Sequence, residues 1–168
     1  IALSTTSALA GLLYRPEPPA AGPERPGDDG RCALVMPVYN EDPAATTAGL
    51  QAMAEDLVRI GAAGRYEIFI LSDTTDAEVW PAETAAVDRL REALRGSMPV
   101  WYRHRHRNLD RKAGNLRDFV ERWGARYETM LVLDADSYMS ADAITGLVRR
   151  MEANPQVGIL QSLVVGLP

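Results

Sequence analysis

The chain has a single cysteine, Cys32, in 168 residues. No internal disulfide can form, and the usual cysteine-rich zinc sites are excluded. One thiol in an apolar run suits a reducing compartment. There is no G-x-x-x-x-G-K-[ST] loop and no G-x-G-x-x-G, so a P-loop or a nicotinamide site has no motif to rest on. Positive charge is in deficit: 18 Lys and Arg face 23 Asp and Glu, for a net charge of -5. Bulk electrostatics therefore argue against a nucleic-acid partner. The apolar or small run IALSTTSALAGLLY at residues 1–14 is shorter than the roughly 20 residues that cross a bilayer. It also lacks the basic region of a signal peptide.

What is present is ordinary globular composition, 46% hydrophobic and 24% charged, at a length that suits one domain with a real core. The chain begins with Ile1, and we expect it to be a piece of something longer. Residues 1–15 read as an apolar arm or as the exit end of a transmembrane helix, with Arg15 then on the cytoplasmic side. Residues 16–31, rich in Pro, Gly and charge, read as a linker, and the folded domain is expected over 32–168.

From Cys32 onward, short apolar runs alternate with helical patterns. Strands are expected at Cys32–Met36, stopped by Pro37, then at Ile68–Leu71, Val100–Tyr102, 130–133 and 157–160. A first helix from Pro43 carries the stripe Leu50, Met53, Ala54, Leu57, Val58 and stops at Gly61 and Gly64. Pro81 opens a second helix with Val87, Leu90 and Leu94 inward. A third, over roughly 113–123, buries Leu116, Phe119 and Val120. Ser140 caps a fourth, with Ile144, Leu147, Val148 and Met151 inward, and Pro155 ends it. This alternation predicts an α/β domain, a mostly parallel sheet with helices on both faces.

Ligands of such sheets bind beyond the carboxyl ends of the strands. Three polar clusters fall on that rim: PVYNED at 37–42, SDTTD at 72–76 and DADS at 134–137. Asp134 and Asp136 share a face if their strand continues; such a pair can hold a divalent cation, and the cation a diphosphate. A turn before a capped helix serves DADS equally well. Asp73 and Asp76 can accept hydrogen bonds from a ribose or a base imide, or can simply form an Asx turn. Tyr39 offers a flat face to a base, or is a half-buried aromatic at a strand end. Glu41 and Asp42 suit a helix N-terminus, with Asp42 the N-cap before Pro43. In Arg103-His104-Arg105-His106-Arg107 the arginines share one face of an extended segment. That segment reads as a solvated basic edge, a phosphate-binding surface or a surface against anionic lipid. Lys112-Ala113-Gly114-Asn115 opens the third helix, where small residues allow close approach to a phosphate.

PVYNED, LSDTTD, RKAGN and VLDADS, in this order, resemble the inverting family 2 glycosyltransferases of GT-A fold. From Ala33 to Gln161 the chain is similar to the glucans biosynthesis glucosyltransferase H family, above all in RHRHRNLDRKAGNLRDFVERWG and in YETMLVLDADSYMSADAITGLVRRMEANPQVGILQS. The resemblance covers about three quarters of the chain. It implies a Rossmann-like GT-A nucleotide-sugar fold, here its donor-binding part and truncated at the C-terminus. It implies UDP-glucose as donor, a growing glucan as acceptor, and the backbone of osmoregulated periplasmic glucans as product. The setting it implies is the cytoplasmic face of the bacterial inner membrane, in a membrane-embedded parent. Tyr39 would lie against uracil, Asp73 would pair with its imide, and Lys112 would contact the nucleotide sugar. Glu41 and Asn115 complete the substrate-binding residues of the same motifs. Asp134 and Asp136 would be the D-x-D pair, Asp136 the direct ligand of Mg or Mn and Asp134 also touching the ribose or diphosphate. The family's general base and its Gln-x-x-Arg-Trp motif are expected beyond residue 168, so the isolated chain should bind donor without turning it over. A reading from another class is a non-enzymatic regulatory or interaction module with an acidic, cation-binding rim.

Overall fold

A computed structural model describes residues 30–162. The expected arm at 1–15 and all of the expected linker except Gly30 and Arg31 lie outside them. Those two residues are already tied to the domain. Gly30 O accepts from Arg65 Nε at 3.0 Å, the Arg31 guanidinium pairs with Glu67, and the Arg31 backbone N–H donates to Glu128.

Four strands form one parallel sheet: β1 (Cys32–Val38), β2 (Tyr66–Ser72), β3 (Val100–His104) and β4 (Thr129–Val132), in the order β3-β2-β1-β4. The connecting helices are α1 (Pro43–Arg59), α2 (Val79–Ala93), α3 (Arg111–Trp123) and α4 (Ala141–Ala153). The chain winds one way from β1 to β3 and then crosses back to β4. A right-handed crossover puts its helix on opposite faces for opposite directions of travel. Accordingly α1, α2 and α4 pack on the face of Leu34, Met36, Ile68 and Ile70, while α3 covers Ala33, Val35, Phe69 and Leu71. Phe69 and Phe119 meet edge to face at 4.8 Å in this second layer, a pair worth roughly 0.5–1.5 kcal/mol beyond its burial.

β1 runs through Pro37 instead of stopping there. Backbone groups of a parallel strand face alternate neighbours. Val35 O accepts from Leu133 N on the β4 side, and Val38 O accepts from Asp73 N on the β2 side. The N–H that Pro37 lacks therefore faces β4, which has already ended at Val132, so no ladder bond is lost.

The helix ends follow the expected chemistry. Asp42 caps α1 by accepting from Ala44 N at 2.9 Å, with Pro43 in the first turn. Gly61, at φ 74°, ends it in the left-handed region. Ser140 Oγ accepts from Ala143 N at 3.3 Å to cap α4.

Several expectations need correction. The strand expected at 157–160 does not form: Val157 N closes a turn onto Asn154 O, and Ile159 is 89% exposed. No backbone ladder reaches this segment among the described residues. β4 is not buried on both faces but is an edge strand, with Met130 and Val132 39% and 37% exposed. These two share the α3 face with Ala33 and Val35, beyond the cover of that single helix. Together with Leu147, Met151 and residues 158–162 they line an apolar groove of about 420 Å³. Val58 and Val120, placed inward by periodicity, are exposed at the margins of their stripes. No helix among the described residues is long and apolar enough to cross a membrane.

Candidate functional site

Between β1 and β4 the winding reverses, and a crevice opens beyond the strand ends at such a switch point. A cleft of about 820 Å³ lies there. The end of β1 contributes Tyr39 and Glu41, the end of β2 contributes Asp73, and the turn after β4 contributes Asp134 and Asp136. Arg111, Lys112 and Asn115 close it from the start of α3. All seven residues expected to bind substrate or metal line this one cleft.

The first two loops are stapled together. Asn40 adopts φ 58°, a left-handed conformation that asparagine tolerates. Its Oδ1 accepts from Thr75 N at 3.0 Å and Asp76 N at 3.1 Å, and its own N–H donates to Thr74 Oγ1 at 3.1 Å. Tyr39 is thereby held at the rim, 51% exposed, with its ring available for stacking. The Glu41 carboxylate turns back to accept from Tyr39 N.

Asp73 is not the free turn acid of an Asx motif. It is 3% exposed, and Arg105 grips it as a fork, Nε to Oδ1 at 2.6 Å and Nη2 to Oδ2 at 2.7 Å. The hydrogen bond to Asp73 raises the Arg105 guanidinium above its ordinary pKa. Each carboxylate oxygen gives one lone pair to Arg105 and keeps another, so the cleft still meets an acceptor. The basic run is thus no solvated edge at its centre. Arg103 points to the α3 side, donating to Asp118 Oδ2 at 2.6 Å and to Asn115. His104, on the opposite face, donates from Nε2 to Thr74 O at 2.8 Å and stacks on Trp80 with ring centroids 4.5 Å apart.

At the start of α3, Asp110 and Arg111 both have positive φ, 56° and 49°. Gly114 answers a need different from the one expected. A Cβ there would lie 2.1 Å from Leu109 O, so the glycine admits the preceding loop, not a phosphate. Asn115 is buried, and its Nδ2 donates to Leu71 O at 2.9 Å, closing the end of β2. It lines the cleft floor with its amide already engaged. Lys112 reaches across to pair with Asp134, both largely exposed. An exposed pair of this kind contributes little and is readily exchanged for a ligand's charges.

The strand does not continue through the D-x-D pair. β4 ends at Val132, and Ser137 N closes a turn onto Asp134 O at 3.0 Å. Asp134 and Asp136 face the cleft because of that turn, not because of strand periodicity. Among the described residues no group of three or more His, Cys, Asp or Glu is placed to hold a metal ion. The two carboxylates form a partial, all-oxygen donor set, which suits a hard divalent cation whose remaining positions go to water and diphosphate.

Residues missed in the sequence are Arg105, Asn108 and Arg111. Arg105 and Arg111 stood in recognised basic segments, but nothing local marked that Arg105 would meet Asp73 or that Arg111 would line the cleft. Asn108 lines the cleft with a buried Oδ1 that has no hydrogen-bond partner.

An open parallel sheet with acidic and aromatic residues in a cleft at its switch point is the arrangement of an α/β ligand-binding domain. The comparisons agree, and the chain belongs to Glycosyl transferase family 2, whose profile it matches over residues 33–166. It is 45% identical over 149 residues to a glucans biosynthesis glucosyltransferase H of Pseudomonas paraeruginosa, covering 89% of this chain and 17% of that protein. A protein of the same name from a Shewanella strain is 43% identical over 166 residues, 97% of this chain and 23% of its own length. The chain thus spans about a fifth of the length of these curated relatives. In fold it is similar to a mannosyltransferase from Pyrobaculum calidifontis solved with GDP-Man and Mn2+. The TM-score is 0.61 at 22% identity, over 93% of this chain and 41% of that one. The expected GT-A architecture is borne out.

Proposed function

We propose that this chain supplies the donor site of an inverting glucosyltransferase. The enzyme would use UDP-glucose to build the backbone of osmoregulated periplasmic glucans at the cytoplasmic face of the bacterial inner membrane. The observation that carries the reading is the meeting of Tyr39, Asp73, Lys112, Asp134 and Asp136 in one cleft at the switch point. The names of relatives 43–45% identical support the choice of glucose and glucan.

The uracil ring stacks on Tyr39. Its N3–H donates to the lone pairs that Asp73 keeps free of Arg105, a charge-assisted bond. Lys112 leaves Asp134 to meet the diphosphate. Asp136, with Asp134, would hold Mg or Mn. The bound cation would act as a Lewis acid, offsetting the charge that builds on UDP as the glycosidic bond breaks. Deprotonating the acceptor hydroxyl requires a general base within hydrogen-bond reach of it, and we assign that role to a segment beyond residue 168. The alternative of a non-enzymatic module with a cation-binding rim is disfavoured by the match to Glycosyl transferase family 2 over residues 33–166.

Calorimetry of UDP with the 168-residue chain tests the reading. UDP should bind in Mn or Mg, and both EDTA and Asp136→Ala should weaken it by about tenfold or more. Equal affinity with and without EDTA would remove the metal from the site. No binding of UDP under any condition would overturn the donor-site assignment.

A further inference from the structure

The apolar stripe of α2, Val87, Leu90 and Leu94, has an odd member one turn earlier. Glu83 continues the same spacing and is only 4% exposed. An apolar side chain would extend the stripe at no electrostatic cost. Among the described residues, Glu83 has no cationic partner. A buried carboxylate without one is stable only if hydrogen bonds replace its water. Two hydroxyls do so: Tyr102 OH donates to Oε1 at 2.7 Å and Thr74 Oγ1 donates to Oε2 at 2.8 Å.

The Thr74 bond has a consequence at the cleft. A hydroxyl has one proton, and here Glu83 takes it. The oxygen's lone pairs are then turned toward Asn40 N, which donates to it at 3.1 Å. Asn40 in turn holds Thr75 N and Asp76 N. The residues on either side of this junction, Tyr39 and Glu41 on one loop and Asp73 on the other, line the cleft. His104 secures the same threonine from its carbonyl. Thr74 is one of the ties between the two loops, beside the bonds that Asn40 Oδ1 accepts and the bond from Asp73 N to Val38 O, and Glu83 decides which way its proton points.

We propose that Glu83 is a positioning residue for the donor cleft: through the Thr74 hydroxyl it locks the loop of Tyr39 and Glu41 to the loop of Asp73, so that both meet the base together. The claim about the base rests on the donor-site reading above; the claim about the loops does not. A carboxylate is acceptor-only and accepts from both hydroxyls. A carboxamide has one acceptor and one donor end, so Glu83→Gln must turn one hydroxyl around.

The test compares Glu83→Gln, Thr74→Val and Thr74→Ser in the 168-residue chain. Amide hydrogen exchange is read without nucleotide, and UDP affinity by calorimetry. Glu83→Gln should speed exchange at the Asn40 amide and weaken UDP by about tenfold each. Its melting temperature should hold or rise, because a buried charge is removed. Thr74→Val should behave alike, Thr74→Ser should resemble wild type, and the Glu83→Gln, Thr74→Val double variant should be no weaker than Thr74→Val alone. A purely structural role would lower the melting temperature and leave Asn40 exchange unchanged relative to other amides. Wild-type exchange and UDP affinity in Glu83→Gln would overturn the proposal. If wild type binds no UDP, the donor-site reading fails, and the loop claim is decided by exchange alone.

Discussion

Asp73 is where base selectivity should be measured, and the structure dictates which variant to use. Asp73→Ala would empty the site and also strand the Arg105 guanidinium, only 13% exposed, without a counter-charge. Asp73→Asn keeps the shape and one acceptor for Arg105. It exchanges the other acceptor for an N–H donor. In wild type, uracil N3–H meets a carboxylate lone pair, whereas cytosine N3 meets it lone pair to lone pair. Asp73 is 3% exposed, so water cannot relieve that mismatch, and the full penalty of roughly 1–3 kcal/mol applies. UDP should therefore bind about tenfold or more tightly than CDP. The amide of the variant satisfies either base by rotating, so the ratio should fall to about one to three. Loss of the charge-assisted fork should also cost about 2 kcal/mol of stability. That is tolerable within the roughly 5–15 kcal/mol of a folded domain, and urea unfolding followed by tryptophan fluorescence can check it. The measurement is calorimetry of UDP and CDP in Mg. If wild type binds the two equally, Asp73 does not read the base. If the folded variant keeps the tenfold gap, another residue reads it.

Three other outcomes follow from named contacts. Gly114→Ala gains helix propensity but drives a Cβ against Leu109 O; the clash should win, lowering stability by roughly 1–3 kcal/mol in urea unfolding, and a neutral result would mean the loop yields freely. Lys112→Ala loses only an exposed pair, so its stability should change by less than about 0.5 kcal/mol while UDP affinity falls; the reverse pattern would make Lys112 structural. Burial raises Tyr66 to about 12, and burial, with the Glu83 hydrogen bond, raises Tyr102 to about 12. Each tyrosine then stays protonated in the folded state between about pH 10 and 12 while the unfolded state loses its proton. Their contribution is fully present below pH 10 and is lost as pH rises through that window; a denaturation midpoint flat across it would contradict the shift.

Much of the domain was readable from the sequence. The apolar runs at Cys32 and Ile68 pointed to strands of a covered sheet, because residues that point to both faces were apolar. Asp42 before Pro43 and Ser140 before α4 marked helix starts, because a side-chain oxygen at that position meets an otherwise unpaired N–H. Each of these is a local matter of periodicity and backbone geometry. The rim followed as well, since parallel strands end together and the polar clusters followed the strands. Tertiary structure decided what the rim side chains touch. Arg105 meets Asp73 across 32 residues only because β3 lies beside β2. Glu83 meets Thr74 only because α2 folds back over the end of the strand it follows. Residues 157–160 have a strand's composition but no ladder among the described residues, because a strand exists through its neighbour's backbone and not through its own side chains. Gly114 shows the same divide from the other side: the sequence marks a small residue at a helix start, but only the packed loop reveals that Leu109 O occupies the space a side chain would need.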